Sequence, residues 1–158
     1  MTWMVFFVHI DELFQCQQTL CANSCCGAYN GFSDRLFSVD GRKFKDIVLT
    51  PEDTQRLLST CYCQYVFVAE DGLGRMKTDD AGVCSAWKNG KCLVHDFKPT
   101  VCRCYPLCLD VLIGLCAYND CPSAKKEYNI INYSNQIESL VKMYEFWISY
   151  YKGIISRK

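Results

Sequence analysis

Residues 84–121 read CSAWKNGKCLVHDFKPTVCRCYPLCLDVLIGLCAYNDC, and seven of these positions are cysteine: Cys84, Cys92, Cys102, Cys104, Cys108, Cys116 and Cys121. From residue 82 to 122 neither a helical nor a strand period organises the chain. Gly, Pro, Asn and Asp recur between the cysteines. Such a segment buries little apolar area per residue and needs crosslinks, which a bound metal can supply. Upstream lies a second knot, Cys16, Cys21, Cys25 and Cys26, and between the two groups a pair, Cys61 and Cys63; residues 122–158 contain no cysteine. The distribution predicts a single domain over residues 1–158, with a cysteine-cluster core at about 16–122 and a C-terminal helix at about 134–156. The expected class is α+β: a small, irregular, cysteine-rich metal-binding domain with short strands, flanking helices and a long C-terminal amphipathic helix.

Thirteen cysteines in 158 residues fit either a disulfide scaffold or metal ligation, and the compartment decides between them. The start, MTWMVFFVHIDELF, has no basic residue before its apolar run, and residues 3–8 are too few to span a membrane. It reads as neither a secretory signal nor a span, so the expectation is a cytoplasmic protein with reduced thiols. The odd cysteine count also leaves one thiol outside any all-disulfide scheme. Half of the residues are hydrophobic and 14% aromatic, which supports a folded core and excludes a disordered chain. Seventeen basic residues balance seventeen acidic ones, giving no electrostatic argument for nucleic acid or for a membrane surface. The partners left open are a protein partner or a protein substrate.

Several local signals are clear. Trp3, Phe6, Phe7, Ile10, Leu13 and Phe14 share one helical face, with His9 on the same segment as a structural residue. Phe37-Ser38-Val39, Asp40-Gly41 and Phe44 suggest a hairpin turned by Asp-Gly. Residues 46–50 are extended and lead into Thr50-Pro51-Glu52-Asp53. There Thr50 caps a helix, Pro51 takes its first position, Asp53 closes a capping box, and the helix runs to about Ser59. Tyr65-Val-Phe-Val68 is a strand, Glu70-Asp-Gly-Leu-Gly74 turns it, and residues 75–78 pair back. Ile137, Leu140, Val141, Tyr144, Trp147, Ile148, Tyr151 and Ile155 form a helical stripe, expected to pack on the domain, with Ser134 as its cap.

The cysteine spacings point away from zinc ribbons, which present C-x-x-C pairs. The chain has none. It has C-x3-C at Cys21 and Cys25, the adjacent pair Cys25 and Cys26, C-x-C at Cys102 and Cys104, and C-x4-C at Cys116 and Cys121. Irregular spacings gathered by loops suit a cluster of several thiolate-bound irons, though distant cysteines also build tetrahedral zinc sites. The chain carries no G-x-G-x-x-G, P-loop or H-E-x-x-H motif, and the C-x3-C-x2-C spacing of radical cofactor enzymes fails at its second interval. Pro99 and Pro106 shape the chain around Cys102. Arg103 either donates to a thiolate or pairs with a carboxylate, and His95 is either a ligand or an ordinary histidine beside the cysteines.

Three stretches carry a resemblance: Cys21-Ala-Asn-Ser-Cys25-Cys26, Leu49-Thr-Pro-Glu-Asp-Thr-Gln-Arg-Leu57, and Cys92-Leu-Val-His-Asp-Phe-Lys-Pro-Thr-Val-Cys102-Arg-Cys-Tyr-Pro106. Together they resemble the YkgJ-type cysteine-cluster family, described as zinc- or iron-chelating, over about residues 21–121. A related cysteine module occurs in flagellin lysine methylases. The resemblance implies metal ligation by Cys21, Cys25, Cys26, Cys84, Cys92, Cys102, Cys116 and Cys121. Cys104 stands where the signature varies, and Cys61, Cys63 and Cys108 have no counterpart. His95 and Lys98 replace the family's usual Tyr and Arg.

The leading expectation is an iron–sulfur protein, with a [4Fe-4S] cluster serving electron transfer, metal handling or a reaction at an open iron. A Zn2+-stabilised protein-interaction module is the alternative, and a lysine methylase-like, protein-modifying enzyme is a third. No catalytic residue is legible.

Overall fold

The structure is a computed structural model and describes residues 13–18, 26, 39–41, 46–119, 121–124 and 129–157. Of the expected helix over residues 3–14 only Leu13 and Phe14 are described, and neither is helical; most of the expected hairpin at 37–44 falls outside the described residues. Of that hairpin the described part is a turn at 39–41, where Gly41 adopts φ 76° as Asp-Gly turns require.

The architecture is α+β. Helix α1 is Pro51–Leu58, α2 is Thr100–Cys104 and α3 is Ser134–Ile155. The strands are β1 Val66–Val68, β2 Gly74–Met76, β3 Trp87–Lys88, β4 Lys91–Cys92, β5 Leu107–Asp110 and β6 Gly114–Ala117. They pair as three separate antiparallel hairpins, β1–β2, β3–β4 and β5–β6.

Helix α1 begins as its sequence demands: Thr50 Oγ1 accepts from the Asp53 N–H at 3.2 Å, and Pro51 takes the first turn. Asp53 does not close the expected capping box. Its carboxylate is buried and turned toward α2 instead, where Oδ2 accepts from the Thr100 N–H at 2.6 Å and Oδ1 from Arg56 Nη2 at 2.7 Å. A buried carboxylate needs strong donors, and a backbone N–H opening α2 satisfies it better than its own helix start.

Residues 46–50 run extended beside β2. The Leu49 N–H donates to Gly74 O at 2.9 Å, and the Met76 N–H donates to Ile47 O at 3.0 Å. Helix α1 lies so close to β2 that a Cβ on Gly74 would fall 2.0 Å from Thr54 Oγ1. Arg75, buried, donates from Nη2 to Asp71 at 2.7 Å and lies 3.5 Å from Asp46. These elements enclose the first hydrophobic cluster: Leu49, Leu57, Val66, Met76, Cys84, Ala86 and Val94.

The stretch that reads as irregular, 82–122, is organised by two hairpins and a five-residue helix. Asn89 (φ 51°) and Gly90 (φ 73°) form the two-residue turn between β3 and β4. β5 and β6 pair in the register Leu107↔Ala117, Cys108↔Cys116, Leu109↔Leu115 and Asp110↔Gly114. These elements are two to five residues long, too short to express a period.

A second cluster, Phe14, Leu107, Cys121 and Tyr133, sits under the start of α3, with Phe14 and Tyr133 stacked at 5.5 Å. Ser134 is the first residue of α3 rather than its cap. The helical run starts earlier, where the Asn129 side chain accepts from the Ile131 N–H at 2.9 Å and Asn132 Oδ1 accepts from the Asn129 N–H at 2.8 Å. Of the expected stripe, Ile137 and Leu140 pack on the second cluster. Val141, Tyr144, Ile148, Tyr151 and Ile155 are exposed, contrary to the packing expected of them. The covered face of α3 runs instead through Ser139 and Met143, with Phe146, Trp147 and Tyr150 half-buried, so it is turned away from most of the expected stripe. No helix among the described residues is long and apolar enough to cross a membrane.

Candidate metal centre

Three nominated cysteines lie at the first hydrophobic cluster, and two of them, Cys26 and Cys92, are in side-chain contact. Cys84 is buried within it, and Cys26 and Cys92 pack against it. The Cys84 N–H donates to Cys26 O at 2.7 Å, so the upstream knot is tied by its backbone to the downstream group. The Asn89-Gly90 turn folds β4 back and delivers Cys92 to the same place, opposite Trp87. The Cys92 N–H donates to Gln18 Oε1 at 2.6 Å, a second link between the two stretches.

The Cys92 sulfur accepts a hydrogen bond from the Cys26 thiol, and this contact lowers its pKa from 9.0 to about 6. Burial opposes the shift, while the Val94 N–H and the charge of Lys98 add to it. The contact thus favours the thiolate at Cys92, the form that binds metals and attacks electrophiles. His95 follows in a 3-10 turn, His95–Phe97. Burial first, then Lys98, lowers its pKa and keeps the imidazole neutral, and its buried Nδ1 has no partner among the described residues.

The remaining nominated cysteines lie elsewhere. Cys102 is on α2 and lines a cavity of about 360 Å3 with Cys16, Lys98, Arg103 and Lys142. Cys116 opposes Cys108 across the β5–β6 ladder. Cys121 belongs to the second hydrophobic cluster. Cys21 and Cys25 lie outside the described residues. Among the described residues no three His, Cys, Asp or Glu side chains gather as an ion site.

The cysteines without a counterpart divide. Cys61 and Cys63 are exposed. Cys104 is buried, its Sγ donates to Thr100 O at 3.3 Å, and burial pushes its pKa up to about 12. It is an inert thiol rather than a ligand. Arg103 donates to Thr100 Oγ1 at 3.1 Å.

Sequence reasoning missed Gln18, which holds the Cys92 backbone, and the pairing of Cys108 with Cys116. Nothing in a lone Gln marks the first. The second follows only once the strand register is known. No family model matches the chain, and no curated protein or solved structure matches it.

Proposed function

We infer that the chain is a metal-binding protein whose centre is built on Cys26, Cys84 and Cys92 together with Cys21 and Cys25, their neighbours in the chain. The observation that carries this reading is the convergence of Cys26 and Cys92, a thiol pair drawn from stretches 66 residues apart and joined by a hydrogen bond. The donor chemistry fits a soft metal: a thiol whose pKa is lowered by its surroundings, a second thiol in contact with it, and a third cysteine in the adjoining cluster. His95, neutral and with an unpartnered ring nitrogen, is of the right type to add a nitrogen donor.

The favoured group is an iron–sulfur cluster, because irregular cysteine spacings and the resemblance to YkgJ-type proteins both support it. When bound, such a group supplies one-electron redox chemistry. The chain's own part is to hold thiolates in register through the Cys84–Cys26 and Cys92–Gln18 backbone bonds, and to place the Lys98 cation near an anionic centre. Protein purified without oxygen is expected to be brown and to contain iron and acid-labile sulfide, both lost in Cys26→Ala/Cys92→Ala. A colourless protein free of iron, or a double variant that keeps its full iron, contradicts the reading.

The zinc-stabilised interaction module has one observation in its favour, the exposed apolar residues Val141, Ile148 and Ile155 on α3. Stoichiometric zinc in a colourless preparation, with cooperative unfolding on chelation, would select it.

A further inference from the structure

We propose that Cys108 and Cys116 form a reversible redox modification site, a cross-strand dithiol that exchanges with a low-molecular-weight disulfide of the glutathione type. The two residues are direct partners across the β5–β6 ladder. The Tyr118 N–H donates to Pro106 O at 2.9 Å, which makes 106 and 118 a hydrogen-bonded pair. Two residues inward the ladder returns to the same phase, so Cys108 and Cys116 also form a hydrogen-bonded pair, with Cα atoms about 5.5 Å apart. That spacing lies inside the roughly 4.4–6.8 Å window of disulfides. The side chains leave the same face of the hairpin and are already in hydrogen-bond contact. Both are free thiols and partly exposed, so a small reagent reaches them. Closure then needs side-chain rotation and a local approach of the two strands, because a hydrogen-bonded pair holds its Cβ atoms about 5.5 Å apart and a disulfide needs about 4.5 Å or less. The neighbouring Cys104 does not compete because it is buried, whereas Cys116 is partly exposed and has to release only its 3.5 Å bond to Gly114 O.

The chemistry balances without any further reagent. One thiolate of the pair attacks the small disulfide, forms a mixed disulfide and expels one small thiolate. The second cysteine loses its proton, attacks the protein-side sulfur and expels the other. Two protein thiols become one disulfide, the reagent is reduced to two thiols, and those thiols take up the two protons. The new bond closes a ring over residues 108–116, at the root of the tip formed by Val111, Leu112 and Ile113, which are 97%, 92% and 79% exposed. Tyr144 Oη donates to Leu109 O at 2.9 Å and couples the same hairpin to α3. Oxidation thus fixes the element that carries the most exposed apolar residues of this half of the molecule.

The site does not depend on the metal reading, and residue-resolved mapping keeps the two apart. The full-length protein is equilibrated without oxygen in graded ratios of glutathione to glutathione disulfide, quenched with N-ethylmaleimide, and digested unreduced with chymotrypsin, which cuts within the Leu-rich tip. The expected product is a Cys108–Cys116 crosslinked peptide, lighter than the two thiol peptides by two hydrogen atoms, and lost again when glutathione is raised. At least one of Cys108→Ser and Cys116→Ser traps a glutathione adduct on the remaining thiol. Linkage of Cys116 to any other cysteine overturns the proposal. So does full alkylation of both residues at a ratio that glutathionylates exposed Cys61 or Cys63, or absence of the trapped adduct from both variants.

Discussion

Two cysteines of one stretch, Cys92 on β4 and Cys104 on α2, have opposite surroundings. On β4, Cys92 is held at about 6 by a thiol donor, a backbone N–H and a lysine. On α2, Cys104 is pushed to about 12 by burial, with a backbone carbonyl to accept its proton. Both residues are cysteines in short elements of the same stretch, and composition does not tell them apart. The difference lies in what surrounds the sulfur: donors and positive charge stabilise a thiolate, whereas an apolar wall and an acceptor stabilise the thiol. A cysteine count therefore does not separate reactive thiols from inert ones, whereas the environment does.

The widest separation is expected in reactivity. At pH 7.5, a condition set by the experimenter, iodoacetamide on metal-free protein labels Cys92 about a hundredfold faster than Cys104, read by peptide mapping. Equal rates would erase the contrast. Cys26→Ala removes the largest favourable contact, so the Cys92 labelling midpoint moves up from about 6 toward 9.0, while Cys104 stays as it was. A midpoint unmoved by that change would assign the thiolate to another cause.

Stability should sharpen the same contrast. Leu57 is fully buried in the first cluster, and Leu57→Ala is expected to cost about 3 kcal/mol in denaturant unfolding. Ile148 on the exposed half of α3 should cost within about 0.5 kcal/mol on the same change. Similar losses at both sites would mean that α3 is covered along its whole length. Asp53→Ala strands the buried Thr100 N–H and leaves Arg56 with only the Phe97 and Lys98 carbonyls, and should cost about 2 kcal/mol. Burial raises the Asp53 carboxyl, but the Arg56 and Thr100 hydrogen bonds outweigh it and leave the pKa below 3.8. Its contribution is therefore complete above 3.8 and is lost as pH falls through the folded value. Thr50→Ala removes one cap and should cost about 1 kcal/mol.

Cys104 predicts the reverse pH dependence. Its folded pKa lies above its ordinary 9.0, so the stability it confers is present below 9.0 and is lost as pH rises toward about 12. Unfolding free energies of metal-free protein across that alkaline range should fall more steeply for the wild type than for Cys104→Ala. Parallel curves would contradict the burial argument.

The legible parts of the fold are those written in local chemistry. Thr50-Pro51 announces α1, and the Asp71-Gly72 turn announces the β1–β2 hairpin. The Asn89-Gly90 turn was equally legible by the same rule, yet two-residue strands on either side give no alternation to support it. Helix α2, at five residues, is too short for a period, and its position depends on a carboxylate 47 residues away. Ser134 misleads because the Asn129 and Asn132 pair starts the helical run one turn earlier. The resemblance names Cys26, Cys84 and Cys92, and the structure brings these three to one hydrophobic cluster. What the motif cannot convey is that Cys116 faces Cys108 and that Cys121 packs with Phe14 and Tyr133, since both are facts of tertiary register.

The most direct measurement of the central claim is X-ray absorption at the edge of whichever metal copurifies with the oxygen-free protein. The account predicts a first shell dominated by sulfur, at about 2.3 Å, that loses sulfur scatterers in Cys92→Ser. A shell of oxygen and nitrogen alone, or one that Cys92→Ser leaves unchanged, would place the metal on other groups and contradict a centre built on the Cys26–Cys92 pair.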